Sequence, residues 1–332
     1  MKNSIQNLAA VSILTITLSI SPVSKERQEA MKQFYTNLPV LITGGCGFIG
    51  SHIAETLVNL GAKVTIVDNL ATGSLDNIAT FKDKVTFINK SIIDKEACLE
   101  ATKNKKVIFH LAAFISVPES LENPQLCYET NVNGTLNLLE AARINGIERF
   151  VFSSSAAVYG NTEGICSEDD RTNPESPYGY SKRIGELYCQ QYAKNFGLPT
   201  VMLRYFNVYG PRQNPNGQYA AVVAKFSNQM QHNLPITIFG DGKQTRDFVP
   251  VEKVAEANLL LGMLENNKIR GQIFNIGIGS SISLIELLDQ LKQKFPGYTG
   301  AIQFAPARPG DLKYSAADCS KYFELDRVGG SA

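Results

Sequence analysis

The sequence predicts an α/β protein, a doubly wound, mainly parallel sheet that carries a smaller, discontinuous lobe toward the C-terminus. Three observations predict it. Up to about residue 206, short apolar runs rich in Val, Ile and Phe alternate with longer amphipathic segments, the rhythm of repeated strand–helix–strand units. The first run ends in a glycine-rich turn and the second in an acidic residue. From about residue 207 the rhythm breaks into loops rich in Pro and Gly, V-Y-G-P-R-Q-N-P-N-G-Q and I-F-G-D-G-K-Q-T-R-D-F.

In chain order, residues 1–37 read as an N-terminal extension outside the core. Leu8 to Ile20 is an apolar run after Lys2. It falls short of the about 20 residues that a membrane-spanning helix needs, and no A-x-A cleavage pattern follows it. The expectation is a non-core segment ahead of a natural start near Met31. A membrane tether through residues 8–20 is the alternative. Strands are predicted at 39–43, 63–67, 85–89, 107–111, 149–153 and 200–204, and helices at 49–60, 94–103, 124–145 and 178–196. Residues 38–206 then form one nucleotide domain of Rossmann type. Two later apolar segments, Val254–Leu264 and Ile273–Ile276, return to it within about 250–277. Residues 207–249 and 278–332 are left for the lobe, whose polar loops beyond the sheet are where a substrate belongs.

The first strand and turn read V-L-I-T-G-G-C-G-F-I-G, with Gly44, Gly47 and Gly50 leading into a helical pattern. Glycines there let backbone approach a pyrophosphate, and the helix N-terminus favours its charge. The next apolar run, Val64 to Val67, ends at Asp68. A carboxylate at that point binds both hydroxyls of an adenosine ribose and repels a 2′-phosphate, which favours NAD over NADP.

Tyr178 and Lys182 stand four residues apart in S-P-Y-G-Y-S-K-R-I-G-E, downstream of Ser155 in S-S-S-A-A-V-Y-G. On a helix the two share a face. A phenol acts as a base near neutral pH only if its pKa falls well below about 10, and a neighbouring ammonium favours the phenolate. A serine hydroxyl beside them orients a substrate oxygen. The set suits removal of an alcohol proton while its carbon loses hydride. Any one piece occurs by chance on ordinary helices and turns; their conjunction in this order carries the reading.

The 332 residues hold one large α/β unit or two joined lobes, 44% of residues are hydrophobic, and the net charge of +1 gives no basic stripe for nucleic acid. Six cysteines are scattered without C-x-x-C, the pattern of reduced, cytoplasmic thiols rather than a disulfide frame or metal site. The three histidines, at 52, 110 and 232, support no metal cluster by spacing.

With these residues the chain resembles the extended short-chain dehydrogenase/reductase family, and within it the NAD-dependent UDP-hexose 4-epimerases, from about Pro39 to Leu325. T-G-G-C-G-F-I-G resembles the family's nucleotide loop and implies contacts from Gly44, Gly47, Phe48, Ile49 and Gly50. Asp68 and Asn69 match its adenosine-ribose positions, and Asp94 in S-I-I-D, with Ile93, its adenine contact. H-L-A-A brings Leu111, Ala112 and Ala113 beside the cofactor, and Asn131 in N-V-N-G-T matches a cofactor-proximal asparagine. Ser155, Tyr178 and Lys182 are the implied catalytic set, with Tyr178 and Lys182 also on the cofactor. On the substrate side, R-Y-F-N-V-Y-G-P implies Asn207 and T-R-D-F implies Arg246, both at the diphosphate. R-P-G-D-L adds Arg308 as a second diphosphate arginine and Asp311 as a ribose contact. Paired guanidiniums suit a pyrophosphate.

The resemblance implies C4 epimerisation through a 4-keto sugar, with tightly bound NAD. Related dehydratases and decarboxylases carry acids just after the Ser position; here Ala156 and Ala157 stand there. Ser315, seven residues after Arg308, is small where the family borders the sugar's C2 substituent, which implies UDP-GlcNAc/UDP-GalNAc, alone or beside UDP-Glc/UDP-Gal. A UDP-glucuronate 4-epimerase, another sugar-nucleotide oxidoreductase, and a non-catalytic NAD-binding regulator of the same fold stay open. Ile115 stands where some relatives have a lysine, and the sequence ends at Ala332 before a segment usual in the family, so the C-terminus reads as truncated. A homodimer through the helices 124–145 and 178–196 is implied by the same resemblance.

Overall fold

The structure, a computed structural model, describes residues 24–162, 164–215, 222–307 and 313–328. Its centre is one seven-stranded sheet in the order β12-β7-β5-β4-β1-β2-β3. The strands are β1 (Pro39–Thr43), β2 (Lys63–Val67), β3 (Thr86–Ile88), β4 (Val107–His110), β5 (Arg149–Ser155), β7 (Thr200–Tyr205) and β12 (Gln272–Ile276). Every pairing in it is parallel. The order runs outward in both directions from β1 and β4, so the chain reverses there and opens a crevice at the strands' carboxyl ends. Helices cover both faces. That explains why the strands read as continuous apolar runs: Val40, Leu41 and Ile42 are all fully buried, as are Phe150 and Val151. Each such side chain contributes about 2 kcal/mol of burial.

The helices of this layer are α1 (Lys25–Tyr35), α2 (Phe48–Asn59), α3 (Lys95–Thr102), α4 (Val117–Glu122), α5 (Pro124–Tyr128), α6 (Gly134–Ile144), α7 (Pro177–Asn195) and α9 (Val251–Met263). Local chemistry sets their ends. α7 opens with Ser176, whose hydroxyl accepts from the Gly179 N–H at 3.1 Å, and with Pro177 in its first turn. α2 closes at Gly61, whose φ of 82° only glycine takes without strain.

Two corrections to the sequence reading follow. Residues 1–37 were expected to lie outside the core, yet α1 sits within that segment and is part of the core. Arg27, Met31 and Tyr35, spaced four apart on one face, are buried, and the Tyr35 hydroxyl donates to the Leu259 carbonyl of α9 at 2.7 Å. The apolar stripe Met31/Tyr35 is short and flanked by charge, so it is weak as a pattern but complete as a helix face. The run 8–20 lies outside the described residues. The helix expected over 124–145 is three pieces: α5, a π turn at Glu129–Asn133 and α6. The extra residue of a π turn re-aims Asn131, and such insertions cluster at functional sites.

A second core lies past the sheet. It is built on β8 (Asn207–Tyr209), α8 (Val222–Gln231), β9 (Ile236–Phe239), β10 (Thr245–Arg246), β11 (Phe248–Pro250), β13 (Ile282–Ser283), α11 (Leu284–Lys294) and β14 (Ile302–Ala305). Phe226, Ile236, Ile238, Phe248, Leu287 and Leu291 pack together there. α10 (Asn266–Ile269) precedes β12, and the short pair β6 (Ile165–Cys166) with β15 (Ala316–Ala317) and helix α12 (Ser320–Val328) complete the chain. No helix among the described residues is long and apolar enough to cross a membrane.

Candidate active site

The parallel order places the carboxyl ends of β1, β2, β4, β5, β7 and β12 along one edge, and the candidate residues follow those ends. After β1, Gly44 has φ 71°, and a Cβ on it would lie 2.6 Å from the Ala112 amide nitrogen. Backbone after β1 and backbone after β4 therefore touch, which a larger residue would prevent. Gly47 is the N-cap of α2 and brings no side chain to its first-turn amides, and that turn, Phe48 to Gly50, holds no acidic residue. The first N–H groups of a helix have no intrahelical partner, and a turn without a cap or an acid favours an anion there. Gly50 sits so close to the Gly44 carbonyl that a Cβ would meet that oxygen at 2.1 Å.

After β2, Asp68 is buried. Its carboxylate accepts from the Cys46 N–H at 2.9 Å and the Leu70 N–H at 2.8 Å, so it is locked against the glycine turn. Asn69 is exposed and accepts from the Ala71 N–H at 3.1 Å. Asp94 caps α3 through the Ala97 N–H at 3.0 Å. That bond, with Lys90 nearby, holds its carboxyl below the usual range. Ile93 beside it is 41% exposed, an apolar surface next to the cap.

After β4, Leu111, Ala112 and Ala113 are half-buried. Asn131 of the π turn ties this loop to α7. Its side chain accepts from the Phe114 N–H at 2.7 Å and donates to the Phe114 carbonyl at 2.9 Å and the Ser181 hydroxyl at 2.9 Å. His110, at the end of β4, is fully enclosed between the Thr43 hydroxyl (2.7 Å) and the Thr135 hydroxyl (2.9 Å). Burial holds its pKa down to about 3, so it is a neutral core residue. Among the described residues no group of His, Cys, Asp and Glu could hold a metal.

Ser155, Tyr178 and Lys182 meet at the end of β5. The Ser155 hydroxyl accepts from the Ala157 N–H at 3.2 Å and stands near enough to the Tyr178 phenol to favour its ionised form. The Lys182 ammonium donates to the Ser153 carbonyl at 2.8 Å and lies 5.9 Å from the centre of the Tyr178 ring. Burial pushes the Tyr178 phenol up, and Ser155 pulls it back only in part. The sequence reading expected Lys182 to hold the phenol down; the influences on Tyr178 here are desolvation, then Ser155 and Cys127, and Lys182 is not among them. Burial also brings Lys182 down to about 8.

On the lobe side, Asn207 and Ser315 come together. The Asn207 amide donates to the Asp247 carbonyl at 3.1 Å and lies 3.5 Å from the Ser315 hydroxyl. Ser315 is buried, with its N–H on the Thr245 carbonyl at 3.1 Å and its carbonyl accepting from the Asp247 N–H at 2.8 Å. Arg246 lies between those two, half-buried. Register joins this group to the catalytic set, because Ser155 pairs with Tyr205 and Asn207 follows two residues on. Arg308 and Asp311 lie outside the described residues.

Sequence reasoning missed two buried carboxylates. Asp247 accepts from the Ile278 N–H at 2.8 Å, the Gly279 N–H at 3.0 Å and the Ala317 N–H at 3.4 Å, stapling the segments behind Asn207 and Ser315. Glu186 of α7 pairs with Arg204 of β7 at 2.8 Å, with both side chains buried. The available signals were the charge inside R-D-F and the acid four residues past Lys182.

The family model for the NAD dependent epimerase/dehydratase family matches residues 40–277. A UDP-glucose 4-epimerase of Mycolicibacterium smegmatis is 39% identical over 293 residues, 86% of this chain and 91% of its own. A UDP-N-acetyl-alpha-D-glucosaminuronate decarboxylase of Bacillus cytotoxicus is 38% identical over 259 residues, 76% of this chain and 79% of its own. The structure of the UDP-N-acetylglucosamine 4-epimerase from Methanobrevibacter ruminantium, in complex with UDP-N-acetylmuramic acid, superposes with a TM-score of 0.82 at 36% identity, covering 87% of this chain and 92% of that one. A glycine turn feeding an uncapped helix, a locked acid after the second strand and a Ser–Tyr–Lys cluster at the sheet edge stand within the matched region, and the chain belongs to the NAD dependent epimerase/dehydratase family.

Proposed function

We propose that this chain epimerises C4 of a UDP-hexose through a transient 4-keto sugar, with NAD retained between turnovers. One observation carries the reading: Ser155, Tyr178 and Lys182 converge at the end of β5, while the next two positions are Ala156 and Ala157. The oxidation machinery is there without the acid and base that elimination or decarboxylation at this stretch would use. The epimerase relatives support the same choice over the decarboxylase.

The NAD site fits its residues. The uncapped first turn of α2 takes the pyrophosphate, with Gly44, Gly47 and Gly50 keeping side chains out of its way. Asp68 and Asn69 take the ribose hydroxyls, Ile93 and Asp94 border the adenine, and Leu111 to Ala113 with Asn131 form the inner wall. When bound, NAD supplies the acceptor that takes hydride from C4 and gives it back. Tyr178 removes the C4 hydroxyl proton and returns it after the sugar has turned. Ser155 holds the substrate oxygen in line with the phenol. Lys182, charged below about pH 8, is the ammonium on the same helix face, which favours the phenolate as it forms. Asn207 and Arg246 hold the UDP diphosphate, with Arg308 and Asp311 assigned by resemblance. The anchored nucleotide lets the sugar turn without leaving. Ser315 leaves room beside C2, which favours UDP-GlcNAc/UDP-GalNAc alongside UDP-Glc/UDP-Gal.

A homodimer fits the exposed apolar side chains of α4, α5 and α7, which pack on one another: Leu121, Leu126, Tyr128, Tyr180 and Leu187 are each about half exposed or more, from 49% to 63%. We place the protein in the cytoplasm, where nucleotide sugars and NAD are supplied.

The test is incubation of the purified chain with UDP-GlcNAc, UDP-Glc and UDP-glucuronate separately, without added cofactor, with products resolved by NMR. A C4 epimer from either hexose supports the reading. Conversion of UDP-glucuronate alone moves it to a uronate epimerase, and no product with NAD added back overturns it.

A further inference from the structure

Two consecutive residues at the end of β5, Ser153 and Ser154, each hold α7 at a different turn. The Ser153 carbonyl accepts from Lys182 at 2.8 Å and the Ser154 hydroxyl donates to Glu186 at 2.6 Å, while Ser155, next on the strand, lies near enough to the Tyr178 phenol to favour its ionised form. Gly185 permits the approach, because a Cβ there would lie 2.4 Å from the Phe152 ring. Glu186 is the centre of this seam. One carboxylate oxygen accepts from Ser154 and from Arg204 Nε at 2.8 Å; the other accepts from Arg204 Nη2 at 2.9 Å and Arg183 Nη1 at 2.9 Å. Ser154 and Arg204 are register partners on the adjacent strands β5 and β7, one step before the Ser155–Tyr205 pair. A single carboxylate thus spans two strands of the sheet from the helix that carries Tyr178.

We propose that Glu186 is a positioning residue for the Tyr178–Lys182 couple: its carboxylate pins α7 to the register-paired Ser154 and Arg204, which fixes the phenol against Ser155 and keeps an anion beside the Lys182 ammonium. This rests on the catalytic reading above. Geometry supports the first half. Glu186 is four residues after Lys182 and eight after Tyr178, on the same helix face, so a shift of α7 along β5 moves all three together. An error of about 1 Å in such a placement costs on the order of 100-fold in rate.

Charge supports the second half. The groups around Lys182 are Cys127 of α5, Cys189 and Glu186 of α7, Tyr178, and His110 of β4. Burial pushes both thiols up and holds His110 neutral. That leaves Glu186, one helical turn from Lys182 and outside direct ion-pair contact with it, as the carboxylate that favours the ammonium against the desolvation that has brought it to about 8. Arg204 and Arg183 balance Glu186 on its far side, so the carboxylate is held in place rather than drawn to Lys182.

The experiment compares the full chain as wild type, Ser154→Ala and Glu186→Gln. Three readouts are used: thermal melts, the pH profile of kcat and KM for a UDP-hexose, and titration of Lys182 by NMR of lysine-labelled protein. S154A keeps the ion pair and a cooperative melt. Its kcat falls roughly tenfold with KM within about twofold. In E186Q the Lys182 midpoint and the basic limb of kcat move to lower pH by about half a unit or more. A purely structural ion pair would lower the melting temperature and move neither quantity. A folded S154A with wild-type kcat overturns the pinning, whether or not E186Q folds. An unmoved Lys182 midpoint in folded E186Q overturns the charge role. A wild type inert on every nucleotide sugar would instead remove the epimerase reading, and the NMR midpoint would still decide whether Glu186 sustains the lysine.

Discussion

Lys182 reaches past Tyr178 to the carbonyl of Ser153, at 2.8 Å, and leaves its ammonium 5.9 Å from the centre of the tyrosine ring. The lysine's position is thus fixed by β5 rather than by a bond to the phenol. Burial brings Lys182 to about 8 and pushes Tyr178 up, so the lysine loses its charge before the phenol ionises, and at neutral pH the couple rests as ammonium and neutral phenol. The lysine is charged below its pKa and neutral above it. Turnover is therefore expected to fall as pH rises through about 8, and a Lys182→Met protein should lose that limb along with most of its activity. Tyr178→Phe should lower kcat by about 1000-fold while the protein still melts cooperatively. A pH series of kcat for the three proteins checks this.

Gly50 to Ala is the sharpest steric test of the nucleotide turn. The added methyl would lie 2.1 Å from the Gly44 oxygen and 3.0 Å from Gly45 Cα, both backbone atoms that cannot swing aside. The turn or the start of α2 must shift. The expected result is loss of co-purifying NAD, read by chromatography of the nucleotide released on denaturation, and destabilisation of about 2 kcal/mol or more. Retention of wild-type NAD content would show that the turn tolerates the shift and that its amides do not hold the pyrophosphate.

His110 predicts how stability responds to acid. Its folded pKa is depressed to about 3 by burial, against about 6.5 in an unfolded chain. Between those values the unfolded state binds the extra proton. Its contribution is therefore complete above about pH 6.5 and is lost as pH falls toward 3, with a slope of up to about 1.4 kcal/mol per pH unit. Denaturant unfolding at pH 7, 6 and 5 should show the slope, and His110→Asn should flatten it while lowering stability throughout, because Thr43 and Thr135 lose their common partner.

What the sequence discloses and what it withholds divide along physical lines. Strands such as 39–43 and 63–67 are legible because burial on both faces demands unbroken apolar runs. The glycine turn is legible because a positive φ at Gly44 and a backbone-to-backbone approach admit no other residue. Tyr178 and Lys182 are legible because helical spacing alone puts them on one face. The Glu186–Arg204 pair is hidden, because it links α7 to a strand whose neighbour only the sheet order reveals. The π turn is hidden too, since Asn131 sits in a pattern that an unbroken helix would satisfy equally well. Helix α1 is hidden because two apolar residues among charges make a weak stripe, and only packing on α9 shows that they suffice.

That helix carries the last prediction. Tyr35 is fully buried and its hydroxyl donates to the Leu259 carbonyl at 2.7 Å. Met31 is buried one turn earlier, and Ser24 caps the helix by accepting from the Arg27 N–H at 3.2 Å. Tyr35→Ala should therefore cost about 3–5 kcal/mol, the range for truncating a buried aromatic, and Tyr35→Phe about 1 kcal/mol for the hydrogen bond. A chain beginning at Met31 removes the cap, the first turn and Arg27, one of the three buried residues of the packed face. Compared with one beginning at Ser24 it should melt at lower temperature, with kcat at 25 °C unchanged in the folded fraction, because α1 packs on α9 behind the sheet and touches none of Ser155, Tyr178 or Lys182. Equal melting temperatures for the two chains would return the segment before Leu38 to the role of a passive extension.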